Sequence, residues 1–433
     1  MKKVITYGTF DMFHQGHYNI IKRAKEYGDY LIVGVTGDSY DVGRGKLSVH
    51  DSIATRINNV KNTGLADAII VEEYLGQKIS DIIKYDVDVF VIGDDWKGKF
   101  DHLKQYCDVV YLERTKNISS TQLREENFKQ YNIGLIVDEP KDNQLIVESQ
   151  KLSGFKVTSV FSESREVLDA FQEKYDIENA YRNLDAFWRD TDIVFVKCHL
   201  DKRADFIEQC LAHGKHVIAD PPFSLDAKIH KHLYKVAKDN QVALIDNVKM
   251  VYVRIFIQLL WMTHAGMIGD IIRFNCSISK RDRSIVNLFD DLAALALCPV
   301  IKIMGKEYDA IEPKLVTSED GIEYASIALK YPTGEASINI GNKIRVKEQL
   351  EIIGTEGTIR LKDNWWKSNY FELETTDGSE VKTYSMNFEG NGFCFLLSAM
   401  RTMLENNRTE SMGLFPDESN TIVKILEYIH HNK

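Results

Sequence analysis

Val4-Ile5-Thr6-Tyr7-Gly8-Thr9-Phe10-Asp11-Met12-Phe13-His14-Gln15-Gly16-His17 is the stretch whose reading decides the first fold of this chain. Val4–Thr6 read as a short buried strand, and Tyr7–His14 as a polar turn holding a glycine. A helix is expected from His17 through Ala24. A strand that passes through a glycine turn into a helix N-terminus suits an anion, because free backbone N–H groups and the positive end of the helix dipole face the ligand. His14 and His17, three residues apart, are expected on one face of the first turn. Two imidazoles there can donate hydrogen bonds to phosphate oxygens without a fixed charge.

Outward from this stretch, composition sets bounds. A chain of 433 residues suggests two or three domains. Apolar residues make up 44% and charged residues 27%, an ordinary globular balance with material for large cores. The net charge of -10 argues against a general binder of nucleic acid or anionic membranes. The six cysteines form no CxxC pair, which fits free thiols in a reducing cytosol, so a cytoplasmic location is expected. Lys2-Lys3 precede an apolar run too short for a signal peptide. Val251–Met267 is apolar but carries Arg254, Gln258 and His264, and reads as a buried amphipathic helix, not a membrane span.

In the first part, strands are expected at Val4–Thr6, Tyr30–Thr36, Ala68–Val71, Val87–Ile92 and Val109–Leu112, with helical patterns between most of them. Such alternation implies an α/β fold with a Rossmann-like parallel sheet and right-handed crossovers. Ligands of such sheets bind beyond the carboxyl ends of the strands. Thr9, His14, Gly93-Asp94 and the segment after Leu112 all fall at those ends and can converge. Gly43-Arg44-Gly45-Lys46 is a basic loop. Arg114 to Thr121 offers a guanidinium and several hydroxyls before a helix start, a composition that suits phosphates or a plain N-cap.

Gly8-Thr9-Phe10-Asp11 with His14-Gln15-Gly16-His17 resembles the signature of the HxGH nucleotidyltransferases, in particular the bacterial glycerol-3-phosphate cytidylyltransferases. Gly93-Asp94-Asp95-Trp96-Lys97-Gly98-Lys99-Phe100-Asp101 and Arg114-Thr115-Lys116-Asn117-Ile118-Ser119-Ser120-Thr121 extend the likeness over residues 1–126. The resemblance implies that CMP passes from CTP, with Mg²⁺, to a small polyol phosphate such as sn-glycerol 3-phosphate. The products would be CDP-glycerol and pyrophosphate, feeding teichoic acid or capsule synthesis. It assigns catalysis to His14, His17, Lys46 and Arg114. It assigns nucleotide binding to Thr9, Phe10, Asp11, Gly16, Asp94, Thr115, Ser119, Ser120 and Thr121. Arg44 and Lys78 would meet the acceptor. No metal site built by the protein alone is expected, although Asp11 or Asp94 could help hold Mg²⁺ or the ribose. The chain departs from the family at Gly64, where those members tend to have arginine, and residues 51–55 run one residue longer. Both departures bear on the acceptor more than on the reaction.

After about residue 131 the pattern restarts. Ile133–Val137, Val157–Phe161, Ile193–Lys197, His216–Ala219 and Ala243–Val248 read as strands of a second Rossmann-like domain, 132–249. A β-rich domain, 250–433, follows, with strands at Asp270–Ser279, Tyr324–Tyr331, Glu335–Ile340, Gln349–Leu361, Tyr370–Thr376 and Glu380–Tyr384. Two helices close it, Phe393–Asn406 and Asp417–His430. Gly214-Lys215-His216-Val217, Ala265-Gly266-Met267-Ile268-Gly269 and Gly354-Thr355-Glu356-Gly357-Thr358-Ile359 resemble the Gfo/Idh/MocA oxidoreductases, which implies an α+β open sheet at the end.

That family's chemistry is not carried over residue by residue. The glycine fingerprint positions hold Val137, Glu139 and Asp142, and Ser162 replaces the ribose-binding acid. Asp220-Pro221-Pro222 puts proline where the catalytic lysine belongs, and Leu295 stands for the histidine. The expectation is therefore a degenerate domain kept for packing or assembly, with NAD(P) not bound in the family's usual way. His199, His213, His216 and His230 share no metal spacing. Trp365-Trp366 read as core or interface. A homodimer or higher homo-oligomer is expected. Two rivals stand beside the transferase: a bifunctional transferase and reductase, and a nucleotide-sensing scaffold.

Overall fold

The computed structural model describes residues 1–432 apart from 44–48, 75, 114–128, 141–142, 151, 153, 176, 281–287, 363, 377, 379 and 387–389. The chain divides into two compact units, Met1–Gln130 with Gln150–Gly154, and Tyr131–Ser149 with Phe155–Lys433.

In the first unit β1 (Lys3–Gly8), β2 (Tyr30–Thr36), β3 (Ala68–Glu72), β4 (Val89–Gly93) and β5 (Asp108–Leu112) form one parallel sheet ordered β3-β2-β1-β4-β5. Helices α1 (Gln15–Lys25), α2 (Asp38–Gly43), α3 (Ile53–Asn62) and α4 (Gln77–Tyr85) connect the strands. Val4, Leu31, Val33, Val35, Val89 and Val91 cover one face with Ile21 of α1 and Val60 of α3. Ile5, Tyr7, Ile32 and Phe90 cover the other with Ile82 of α4. Apolar side chains on both faces are the mark of a buried parallel strand. Full burial of each stabilises by roughly 1.5–3 kcal/mol. Gly34 carries no side chain because the Tyr7 ring lies 2.2 Å from where its Cβ would sit.

In the second unit β6 (Tyr131–Val137), β7 (Phe155–Phe161), β8 (Asn179–Tyr181), β9 (Ile193–Lys197), β10 (His216–Ala219) and β11 (Leu244–Asp246) form a parallel sheet ordered β11-β10-β9-β6-β7-β8. The chain returns from β8 to β9 beside β6, so the crevice between the loops after β6 and β9 is the switch point. An eight-stranded mixed sheet follows: β12 (Ile271–Ser279), β13 (Ala310–Ser318), β14 (Gly321–Tyr331), β15 (Gly334–Gly341), β16 (Gln349–Gly354), β17 (Gly357–Leu361), β18 (Tyr370–Thr375) and β19 (Val381–Ser385). Its order is β13-β14-β15-β12-β16-β17-β18-β19, with β12 and β15 parallel and the other pairs antiparallel. The helix Leu288–Met304 packs on it, and Phe393–Glu405 and Pro416–His431 close the chain.

Several elements differ from the sequence reading. Gln349–Leu361 is a hairpin, split by a turn at Thr355-Glu356. β13 was not anticipated, because Glu312, Pro313 and Lys314 interrupt its apolar alternation on what is an edge strand. The helix Leu288–Met304 was also missed. It is buried nearly all round, so no amphipathic stripe marks it. Val251–Met267 does contain a helix, Arg254–His264, yet Ile257 and Trp261 on it are exposed. Trp365 is core, with its indole N–H donating to the Ser277 carbonyl at 2.9 Å. His230 is fully buried and neutral, its pKa drawn down to about 3 by burial. No helix among the described residues is long and apolar enough to cross a membrane.

Candidate functional site

β1 ends at Gly8, and the Phe10 ring lies 2.9 Å from where a Cβ on Gly8 would be. The turn is tight: Phe10 and Met12 both take positive φ, 54° and 47°. For non-glycine residues such angles are uncommon and cluster at functional turns. The chain then enters α1 two residues earlier than the sequence suggested, at Gln15, with His14 as its N-cap. The His14 Nδ1 accepts from the Gly16 N–H at 3.0 Å, and the His17 N–H donates to the His14 carbonyl at 2.9 Å. An Nδ1 that accepts leaves the proton of the neutral ring on Nε2. Gly16 thus serves the pair through its backbone. The His14 and His17 rings stack with centroids 3.9 Å apart at 21°, and His17 sits edge-on to Phe10 at 5.5 Å. Both imidazoles are therefore fixed at the helix N-terminus, with Phe10 as their floor.

The segments beside this turn are tied to it by buried charge. Asp11, 1% exposed, accepts from the His50 and Asp51 N–H groups at 2.9 and 2.8 Å. Asp51 in return accepts from the Met12 N–H at 2.9 Å. Through Oδ1, Asp11 thus clamps the stretch before α3 to this turn. Arg56, fully buried on α3, was missed in the sequence. Its guanidinium donates to the carbonyls of Thr9 at 3.0 Å, Thr36 at 2.7 Å and Asp51 at 3.0 Å, and to the carboxylates of Asp41 and Asp38. One side chain therefore joins the ends of β1 and β2 to α2 and to the start of α3. Its only sequence signal was an arginine on the inner face of a helix whose other inward residues are apolar.

Thr9 is buried beside this tie, and Asp94, half-buried, opens the 3₁₀ turn after β4. Lys78, near the start of α4, pairs with the buried Glu72 at the end of β3, and its Nζ lies 4.6 Å from the Tyr7 ring centroid. Gly64 follows the carboxyl end of α3, the opposite end from the Ser52 cap that adjoins Asp51. Arg44, Lys46, Arg114, Thr115, Ser119, Ser120 and Thr121 lie outside the described residues. Among the described residues no three His, Cys, Asp or Glu converge as a metal site.

The second unit holds a cavity of about 280 Å³ at the ends of β6, β7 and β9. Ile136, Val137, Phe161 and Phe206 floor it, and Ser162, Glu163 and His199 give it polar edges. His199 Nδ1 lies 2.5 Å from Asp138 Oδ2, and its Nε2 lies 3.5 Å from Glu139 Oε1. Lys202 pairs with Glu163. The floor and hydroxyls suit a nucleoside, whereas Asp138 and Glu139 occupy the turn over which a Rossmann pyrophosphate lies. Asp142 lies outside the described residues. Pro221 and Leu295 stand as read from the sequence, but a lysine was overlooked. Lys249, after β11, is half-buried, with Nζ 4.3 Å from the Phe393 ring centroid. Burial draws its pKa down and Asp220 opposes the shift. Asp291 is held by Arg203 at 3.1 Å, and burial pushes its carboxyl up to about 6.

Comparison with known proteins separates the same two parts. Residues 5–126 match the model described as cytidylyltransferase-like, and residues 137–247 match that described as oxidoreductase family, NAD-binding Rossmann fold. A glycerol-3-phosphate cytidylyltransferase of Bacillus spizizenii is 54% identical over 126 residues, 29% of this chain and 97% of that protein. A scyllo-inositol 2-dehydrogenase (NADP(+)) of Bacillus subtilis is 22% identical over 306 residues, 66% of this chain and 92% of that protein. Among solved structures, a 3-ketoreductase from Actinomadura kijaniata in complex with NADP and TDP-benzene superposes with a TM-score of 0.61 at 16% identity. It covers 70% of this chain and 98% of that one. That likeness shows the fold of the second unit. The expectation against NAD(P) finds no support here, since the matched family is an NAD-binding one and a nucleoside-sized cavity remains at the switch point.

Proposed function

The chain belongs to the cytidylyltransferase-like family through residues 5–126, and from that premise we infer that it transfers CMP from CTP to sn-glycerol 3-phosphate. CDP-glycerol and pyrophosphate are the products. The observation that carries this reading is the stacked His14–His17 pair, capped into the N-terminus of α1 directly after β1. An acceptor phosphate oxygen attacks the α-phosphorus in line, and the bond to pyrophosphate breaks on the far side. Transfers at phosphorus need positioning and charge stabilisation more than covalent help. In this reading His14 and His17 donate to the α-phosphate oxygens as charge moves to the leaving group. Lys46, Arg114, Thr115, Ser119, Ser120 and Thr121 neutralise and bind the CTP phosphates, and Asp94 lies toward the nucleotide. Arg44 and Lys78 meet the acceptor. Mg²⁺ enters with CTP, which suits an ion that prefers phosphate and water ligands.

Teichoic acid or capsule synthesis, a cytoplasmic site of action and a C₂ homo-oligomer complete the proposal. So does the division into 1–131, 132–249 and 250–433. The bifunctional reading is the weaker one. Pro221 and Leu295 offer no proton, and a reductase would have to draw one from another group, such as the half-buried Lys249. The test is a screen with CTP, Mg²⁺ and a panel of polyol and amino-alcohol phosphates, read by pyrophosphate release. Turnover with glycerol 3-phosphate, well above that with ethanolamine phosphate, is expected.

A further inference from the structure

We propose that Glu72 is a specificity residue of the acceptor site, one of its carboxylate oxygens receiving a hydroxyl of the polyol. This rests on the transferase reading above. Glu72 closes β3, level with Thr36 of β2, at the carboxyl edge of the sheet. Its side chain is 1% exposed. Oε1 is taken by the Lys78 ammonium, whereas Oε2, equally buried, has no hydrogen-bond donor among the described residues. Buried polar atoms without partners are rare, and a buried carboxylate oxygen is among the costlier to leave so. An ionised carboxylate accepts and cannot donate, so what completes this site must bring a hydrogen-bond donor.

The surroundings narrow the donor. Lys78 already balances the charge of Glu72, so a neutral hydroxyl fits better than a second ammonium. Tyr7 is not the donor, because its hydroxyl donates to Asp81 at 2.8 Å. Asp81 also accepts from the Gln77 side chain at 3.1 Å, which fixes the first turn of α4. The Tyr7 and Phe100 rings flank the Lys78 ammonium, 4.6 and 5.5 Å from centroid to Nζ, and restrict its movement. The pair therefore presents a fixed cation and a fixed acceptor side by side. A polyol phosphate carries the matching groups on one short chain, an anion and a hydroxyl.

The experiment compares sn-glycerol 3-phosphate with 1-propyl phosphate, which lacks both hydroxyls, in wild type and Glu72→Gln, using pyrophosphate release at saturating CTP. A hydrogen bond to a charged group corresponds to about 10- to 100-fold. Wild type should prefer glycerol 3-phosphate in kcat/KM by at least that factor. Glu72→Gln should shrink the preference about tenfold, through a raised KM for glycerol 3-phosphate, with KM for CTP within about twofold. Glu72→Asp retains the charge beside Lys78 but withdraws the oxygen, and should shrink the preference as well. It stands in should the glutamine variant not fold. A preference unchanged in the folded variants, or an equal loss for both acceptors as expected of a merely structural ion pair, would overturn the proposal. Wild type inactive with glycerol 3-phosphate would instead overturn the transferase reading beneath it.

Discussion

After β1 the chain turns through Gly8, Thr9 and Phe10 into an eleven-residue helix capped by His14, whereas after β6 it turns through Asp138, Glu139 and Pro140 toward a helix of only six residues. Both turns stand at the carboxyl ends of parallel sheets, where architecture alone favours an anion. In the first, one oxygen of Asp11 accepts from two backbone N–H groups, and two imidazoles stand at the helix end. In the second, Asp138 and Glu139 hold His199 between them. One topology thus carries opposite electrostatics. A parallel sheet supplies a place for a phosphate, and a few side chains decide how strongly it is held.

The comparison breaks most visibly if the first crevice does not depend on its buried tie. Removing one partner of a buried ion pair leaves the other charge uncompensated, at a cost of about 3–5 kcal/mol. Arg56→Met, which leaves Asp41 with the Thr36 hydroxyl but without its countercharge and removes a donor from three carbonyls, is therefore expected to lower the melting temperature by many degrees, as calorimetry would record. Transfer activity should fall with it. A variant that melts within a degree or two of wild type would show that the crevice is held together by other means.

Next in size is the histidine pair. His17→Ala should lower kcat and kcat/KM by similar factors, on the order of 10² or more, as for other preorganised stabilisers of developing charge. Loss confined to KM for CTP would assign the pair to binding and not to the transition state.

The second crevice is sharpened by neutralising it. With Asp138→Asn and Glu139→Gln together, NADPH should bind about tenfold more tightly than to wild type, since a phosphate no longer meets two carboxylates. Isothermal titration of both full-length proteins gives the ratio. An unchanged ratio would mean that the pyrophosphate takes another path, and that the two turns do not differ in the way their charges suggest.

The smallest effect concerns Asp246, at the end of β11. Burial pushes its carboxyl up to about 6, while Tyr234 and Ser419 donate to it. A folded-state pKa above the ordinary 3.8 means that the folded protein holds this proton more tightly than the unfolded chain. The resulting stabilisation is present below about pH 4 and is lost as pH rises through about 6. Asp246→Asn stays neutral throughout, so its melting temperature relative to wild type should rise between pH 4 and pH 7. A difference that is flat with pH would place the group's ionisation elsewhere.

The two parallel sheets were legible because their strands are short apolar runs spaced by helical patterns, and the His14–His17 turn because its residues are contiguous. Arg56 was not legible: its partners Thr9, Thr36, Asp38, Asp41 and Asp51 come from four segments, and only folding brings their oxygens to one guanidinium. Lys249 is not legible either, because the lysine that the motif calls for falls at Pro221, whereas this one stands beyond β11. The missed strand β13 and helix Leu288–Met304 failed for a similar reason, since an edge strand and a helix buried all round both lack the periodic contrast by which they would be recognised.

The sequence by itself determined the order of the two folds, the transfer chemistry of the first and the replaced lysine and histidine of the second, because each is written in local pattern or contiguous motif. The tertiary structure alone decided that His14 caps the helix it precedes, that Asp11 clamps a neighbouring stretch, and that one buried Glu72 oxygen has no donor among the described residues. It also decided that a cavity remains beside Val137. Those outcomes depend on which atoms meet across distant segments, and hydrogen-bond geometry and burial are properties of that meeting, not of the residues taken in order.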